Sequence, residues 1–271
     1  MSPGIINPFR VGFSPADLDN LENWYDAADV DTVVESGGSV SEWKDRSPNQ
    51  YHLSQPTGAN QPATGSRKIN TLGAIDFNGS SHYLRNTSQP PSDIRSAFMV
   101  LHNDNLINSS SAAEIQLSTW KGDYTIGTAF GSSTGALANE VVAIFDEDTS
   151  NVFVDRQGIS STNLASIPVG DHFWTLVRLA ATTGSWFMGV DGSANLQDLT
   201  SGVRHDLEYN TRGVGNGFCL GCQARDPAVP TSGLDRFFNG LIGELIMFSD
   251  ELTTAERQQV EAYLSAKWAI T

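Results

Sequence analysis

From Phe238 to Trp268 the sequence changes its hydrophobic period once, and that change limits the possible folds more than any other stretch. Leu241, Gly243 and Leu245 alternate with Ile242, Glu244 and Ile246, the period-two pattern of a strand. The alternation runs into a turn at Ser249–Asp250. Beyond it, Val260, Tyr263, Leu264 and Trp268 recur at helical spacing. Thr253 and Glu256 form a capping box, in which each side chain satisfies the other's backbone N–H. The pattern predicts a long strand followed by a short helix whose apolar face lies on the sheet.

Upstream, the pattern is short and alternating. It predicts strands over 74–77, 96–102, 114–119, 124–130, 141–146, 151–157, 173–181, 185–190, 217–223 and 241–248. Gly and Asn-Gly turns punctuate them, and Asp191-Gly192 is the best hairpin signal. A first helix is predicted from Pro15 to Asn23. Ser14 is its N-cap, Pro15 its first residue, Asp17 lies near its positive end, and Phe13 and Leu18 occupy the staple positions. The expectation is an all-β, antiparallel two-sheet sandwich with short N- and C-terminal helices packed outside. Residues 1–13 would form an arm and 14–271 one domain. The 271 residues include 13 Phe and 6 Trp, enough to fill such a core.

The opening reads Trp24-Tyr25-Asp26-Ala27, then Trp43-Lys44-Asp45-Arg46-Ser47, then Leu72-Gly73-Ala74-Ile75-Asp76-Phe77-Asn78-Gly79. With the closing Gly240-Leu241-Ile242-Gly243-Glu244 strand and the Leu252 to Trp268 tail, this order resembles the LamG-like jelly rolls of the concanavalin A-like lectin/glucanase superfamily. The form is common in bacterial surface proteins and phage virion proteins. The Trp186 to Gly192 hairpin and its partner His172 to Leu179 resemble that fold as well. The resemblance implies the jelly roll and leaves function open, since the fold hosts lectins, enzymes and structural parts.

A formal charge of −15 argues against nucleic acid, whose phosphates are neutralised by Lys and Arg, and against anionic membranes. No stretch approaches the roughly 20 apolar residues of a membrane helix. The opening Met1 to Phe13 lacks the basic and apolar regions of a signal peptide. With the resemblance, this gives the expectation of a virion-surface protein, external after lysis.

Chemistry is sparse. The glucanase branch carries E-x-D-x-x-E on one strand, where alternation points three carboxylates into a cleft. That pattern is absent here, so the expectation is a protein without hydrolase activity. Asp146-Glu147-Asp148 reads as a turn between strands; calcium on Asp146 and Asp148 is the alternative, short of the six or more oxygens calcium takes. No other cofactor is expected. Gly131-Ser132-Ser133-Thr134-Gly135 matches the nucleophile-elbow spacing but lacks a following helix and reads as a loop. The five His (His52, His82, His102, His172, His205) show no ligand spacing. Cys219-Leu220-Gly221-Cys222 has no second pair for zinc and sits in a strand pattern, so it reads as buried thiols.

The one binding hint is Trp120, Asp123 and Tyr124: two aromatics around a tight turn with a carboxylate between them. Flat aromatic faces beside a polar group suit sugar rings, and cross-strand packing is the alternative. The functional expectation is a non-catalytic virion adhesion or decoration protein, homo-oligomeric, contacting host surface polysaccharide and other virion proteins. The alternatives are a carbohydrate-binding module of a cellular surface protein and a glycan-cleaving enzyme of the same fold.

Overall fold

The computed structural model describes residues 12–86, 94–104, 114–119, 128–133, 140–145, 170–178, 186–192, 196–198, 218–224, 234–235 and 237–271. The first strands are β1 (Leu21–Asp26), β2 (Val33–Ser36), β3 (Ser39–Trp43), β4 (Leu53–Ser54), β5 (Ala63–Ile69) and β6 (Leu72–Asn78). Then come β7 (Leu84–Arg85), β8 (Ser96–Asn103), β9 (Glu114–Thr119), β10 (Thr128–Ser133), β11 (Glu140–Phe145) and β12 (Gly170–Arg178). The last are β13 (Trp186–Val190), β14 (Gln197–Asp198), β15 (Phe218–Leu220), β16 (Gln223–Ala224), β17 (Leu234–Asp235) and β18 (Asn239–Phe248), followed by helix α1 (Thr254–Trp268). The protein is predominantly β.

Every pairing among the described residues is antiparallel. Sixteen strands form one curled sheet in the order β11-β10-β9-β15-β7-β4-β3-β5-β6-β18-β8-β12-β13-β14, with β1 on β18 and β2 on β3. β16 and β17 pair separately. β18 is the spine: it pairs β1, β6 and β8, so chain start, middle and end meet on it.

Because side chains alternate across a strand, β18 feeds two cores. Ile242 and Leu245 join Tyr25, Trp43, Phe77, Leu101 and Trp174 on one face. Leu241, Ile246 and Phe248 join Phe98, Phe173, Val260, Leu264 and Trp268 of the other, under α1. Thr253 and Glu256 make both halves of the capping box. Gly243 is required for this packing. A Cβ there would lie 2.6 Å from Cη2 of Trp268, so only a glycine lets the indole rest on the strand.

The first helix is corrected. Ser14 and Asp17 do form a capping box, but it closes only a 3-10 turn over Pro15–Asp17. Asn20 then turns the chain at φ 59°, and Leu21 to Asp26 run as β1 against β18. Pairing with the central strand outweighs the local cap, and Trp24 and Tyr25 suit a pleated surface better than a helix. One α-helix, not two, therefore covers the sheet among the described residues. Gly131, Ser132 and Ser133 are also corrected: they lie in β10 and not in a loop, Gly131 and Ser132 paired on both sides and Ser133 to β11. The 217–223 strand is split at Gly221, whose φ of 87° turns the chain between β15 and β16. Asp191 and Gly192 turn the chain at the end of β13, both at positive φ, and β14 pairs back onto β13. Among the described residues, no helix is long and apolar enough to cross a membrane.

Candidate functional site

The residues that carry the sequence resemblance converge on two buried knots. Asp45 organises the first. Its Oδ1 accepts the backbone N–H of Trp24 and of Ser47, both at 2.8 Å. Its Oδ2 accepts Ser47 Oγ at 2.7 Å and the Tyr51 N–H at 2.9 Å. The Trp43-Lys44-Asp45-Arg46-Ser47 turn is thereby locked to β1.

Glu244 organises the second, with no exposure to solvent. Trp24 Nε1 and Tyr263 Oη donate to its Oε1 at 2.7 and 2.9 Å. Trp268 Nε1 and Lys267 Nζ donate to its Oε2 at 2.6 and 2.8 Å. Asp26, its register partner on β1, binds Arg46 Nη1 at 2.6 Å and Lys267 Nζ at 2.7 Å. Burial, then the charge of Asp26, pushes the Glu244 carboxyl above its ordinary range against the pull of Lys267 and Trp268. Burial and then Glu244 push the Tyr263 hydroxyl up as well. Asp26 and Glu244 are two close carboxylates, both buried and both held by side chains of the fold, which gives the knot a structural role.

A different carboxylate group is open to solvent. Asp171, His102, Leu241 and Asp76 stand in register across β12, β8, β18 and β6 and share one sheet face. Arg67 Nη1 bridges Asp76 at 3.1 Å and Asp104 at 2.8 Å, and Nη2 also binds Asp104. His102 lies between Asp171, 2.5 Å from Nδ1, and Asp104, 3.3 Å from Nε2. These five side chains range from 18% exposed at Asp76 to 37% at Arg67, so a ligand in solution reaches them. Burial raises the Asp76 pKa first, Arg67 opposes, and Asp104 adds to the rise. The hydrogen bond to Asp104 leads in raising that of Arg67, with desolvation opposing.

The opposite face of the same sheet end holds a second His–Asp pair. His172 Nδ1 lies 2.6 Å from Asp191 Oδ2, and the other carboxylate oxygen of Asp191 accepts the Phe173 N–H at 2.9 Å. A Cβ on Gly170 would lie 3.7 Å from His172 Nε2. The imidazole therefore leans over Gly170, the register partner of Asn103. Asn103 is fully buried, and among the described residues neither of its amide atoms has a hydrogen-bond partner.

Trp120, Asp123 and Tyr124, and likewise Asp146 and Asp148, lie outside the described residues. Among the described residues, no group of three or more His, Cys, Asp or Glu is arranged to hold a metal. The polar row was not singled out in the sequence. Its signal is a charge inside an apolar strand: Asp76 in β6, His102 in β8, Asp171 in β12.

No family model matches the chain, and no curated protein matches its sequence. Solved structures do match in fold. An α-L-arabinofuranosidase soaked with an aryl arabinofuranoside superposes with a TM-score of 0.56 at 14% identity, over 94% of this chain and 60% of that one. An arabinofuranosidase complexed with arabinofuranosyl-xylobiose gives 0.55 at 15%, over 91% and 59%. Trypanosoma rangeli sialidase in complex with sialic acid gives 0.51 at 12%, over 93% and 34%. The chain thus spans about three fifths of the arabinofuranosidases and a third of the sialidase. At these identities the likeness is one of fold.

The fold neighbours correct the expectation of a protein without hydrolase activity. That expectation rested on the missing E-x-D-x-x-E strand, which belongs to one branch of one superfamily. The three chains named above are arabinofuranosidases and a sialidase, so absence of that motif does not separate this fold from glycan cleavage.

Proposed function

We propose that this chain is a carbohydrate-interacting β domain whose contact surface is the polar row Arg67, Asp76, His102, Asp104 and Asp171. The row itself carries the reading. Three carboxylates, a guanidinium and an imidazole stand partly exposed at one end of a rigid sheet, and such paired donors and acceptors suit sugar hydroxyls. The neighbours that share the fold are carbohydrate-active proteins, which supports the same class.

Cleavage of a glycosidic bond is the more specific form of this reading, and the Asp76–Asp104 pair favours it. One nitrogen of Arg67 holds both, so their nearest oxygens are no more than about 6 Å apart. That ceiling accommodates the roughly 5–5.5 Å of retaining glycosidases and lies under the 6.5–9.5 Å of inverting ones. Asp76, whose carboxyl burial pushes above its ordinary range against the pull of Arg67, would be the acid that protonates the leaving oxygen. Asp104, held by the guanidinium, is the partner carboxylate. The test is release of reducing sugar from a panel of arabinans, xylans and sialosides. Activity that disappears in both Asp76→Asn and Asp104→Asn supports cleavage. Activity untouched in both removes the pair from the reading.

The finer placement draws on the sequence resemblance. The sheet would close over itself as a jelly-roll sandwich, with residues 14–271 as one domain and 1–13 as its arm. The protein would be displayed as an oligomer on a phage particle beside other virion proteins, binding host surface polysaccharide. Trp120, Asp123 and Tyr124 would add aromatic contacts, and Asp146 and Asp148 would be the place for calcium. Display in many copies raises effective affinity by roughly 10²–10⁴ without a strong single site. Mass spectrometry of purified particles tests the location.

A further inference from the structure

Cys219 and Cys222 sit side by side in the turn that leaves the large sheet. Their Sγ atoms are 2.7 Å apart. Non-bonded heavy atoms normally rest at roughly 3.5–4.0 Å, and a disulfide bond measures about 2.05 Å. The sulfurs already stand well inside contact distance, and both residues are fully buried in a small cluster with Tyr83, against which Phe237 packs.

The backbone holds them there. Cys219 lies in β15, paired to Arg85 of β7 and Ser118 of β9, and cannot slide without breaking both ladders. Gly221 turns the chain at φ 87°. A side chain at that position would run into the Phe77 ring, with a Cβ only 2.3 Å from its Cδ1. The Gly221 carbonyl accepts the Phe238 N–H at 2.9 Å, which ties the turn to the start of β18. Cys222 therefore returns towards Cys219 through a turn fixed at both ends.

Two other uses of a C-x-x-C fit poorly. Zinc takes four ligands, and among the described residues no third His, Cys, Asp or Glu joins the pair. A dithiol redox catalyst places its thiols at a helix N-terminus, partly exposed, where the dipole favours the thiolate. Here β16 comes directly after the turn, and both thiols are buried.

We infer that Cys219 and Cys222 are an oxidation site that closes into an intrachain disulfide and clasps the turn joining the large sheet to the β16–β17 pair. A low-molecular-weight disulfide such as oxidised glutathione serves as the oxidant. One cysteine thiolate attacks it and releases one glutathione thiol. The second cysteine displaces the other glutathione, forming the Sγ–Sγ bond. Two S–H bonds on the protein are lost and two glutathione thiols are gained, so atoms and electrons balance. Formation of the bond suits a protein that works in an oxidising medium outside the cell. The inference does not rest on the glycan reading.

The test is intact mass after exposure of the whole chain to oxidised glutathione, and again after refolding from denaturant in a glutathione redox buffer, so that burial does not hide the thiols. The expected product is two hydrogens lighter, takes up no alkylating reagent, and yields a peptide linking Cys219 to Cys222. Reduction is expected to lower its Tm by several degrees, a shift absent from the C219S/C222S double variant. Two alkylated thiols after both treatments, glutathione adducts on both cysteines, a link between chains, or a bond that leaves Tm unchanged would each overturn the clasp.

Discussion

Trp24 and Trp268, from opposite ends of the described chain, donate their indole N–H groups to the two oxygens of one carboxylate, that of Glu244, at 2.7 and 2.6 Å. The fold depends on this junction. It holds β1, β18 and α1 together at a point from which solvent is excluded.

Removing the acceptor strands three of its donors. Glu244→Ala leaves two indole N–H groups and the Tyr263 hydroxyl without their acceptor, while Lys267 keeps Asp26, and the loss is expected to reach about 3–5 kcal/mol. Chemical unfolding measures it. A loss under about 1 kcal/mol would mean that the knot is incidental to stability.

Gly243→Val tests the same junction through shape. The added Cβ meets the Trp268 ring, so α1 must shift off the strand. A cost of about 1–3 kcal/mol is expected, together with greater accessibility of the Trp268 indole to fluorescence quenchers. An unchanged Tm would show that the helix docks more loosely.

Glu261 sets a pH dependence. Burial raises its carboxyl pKa above 4.5, against the opposing pull of Arg257 and Thr175. The folded state therefore holds this proton more tightly than the unfolded chain. Its contribution is fully present below the unfolded pKa and is lost as pH rises through the higher folded value. Unfolding free energy measured from about pH 4 to pH 8 should carry this downward component, and Glu261→Gln should remove it. An identical profile in the variant would contradict the assignment.

Much of the fold was legible in the sequence, and the parts that were not have physical causes. β18 and α1 were readable because Leu241 to Phe248 and Val260 to Trp268 each keep one period, and Thr253 and Glu256 mark the boundary. β1 was misread because Ser14, Pro15 and Asp17 signal a helix start that closes a single 3-10 turn. The conformation of Leu21 to Asp26 is decided by β18, which pairs with β1 from more than two hundred residues away. Two-residue strands such as β4 and β7 are too short to show any period. The candidate site was hidden for a related reason. Asp76, His102, Asp104 and Asp171 are scattered in sequence, and only strand register brings them together. The motifs behind the sequence resemblance, by contrast, mark Asp45 and Glu244, which organise the fold.

Asn103 offers a separate check on the sheet end. Its amide is buried with both atoms unpartnered among the described residues, a cost of about 1–3 kcal/mol that an apolar side chain of similar shape avoids. Asn103→Leu is expected to hold or raise Tm by differential scanning calorimetry. A fall of several degrees would show that the amide is needed for the fold.

The central claim is that Arg67 and its carboxylate partners form a carbohydrate-contacting surface. Binding to an array of bacterial and plant polysaccharides, compared between the natural chain and Arg67→Ala/Asp104→Asn, tests it most directly. The account predicts glycan binding by the natural chain and at least a tenfold loss in the variant, with cooperative melting retained. Equal binding by both, or no glycan bound by the natural chain, would contradict it.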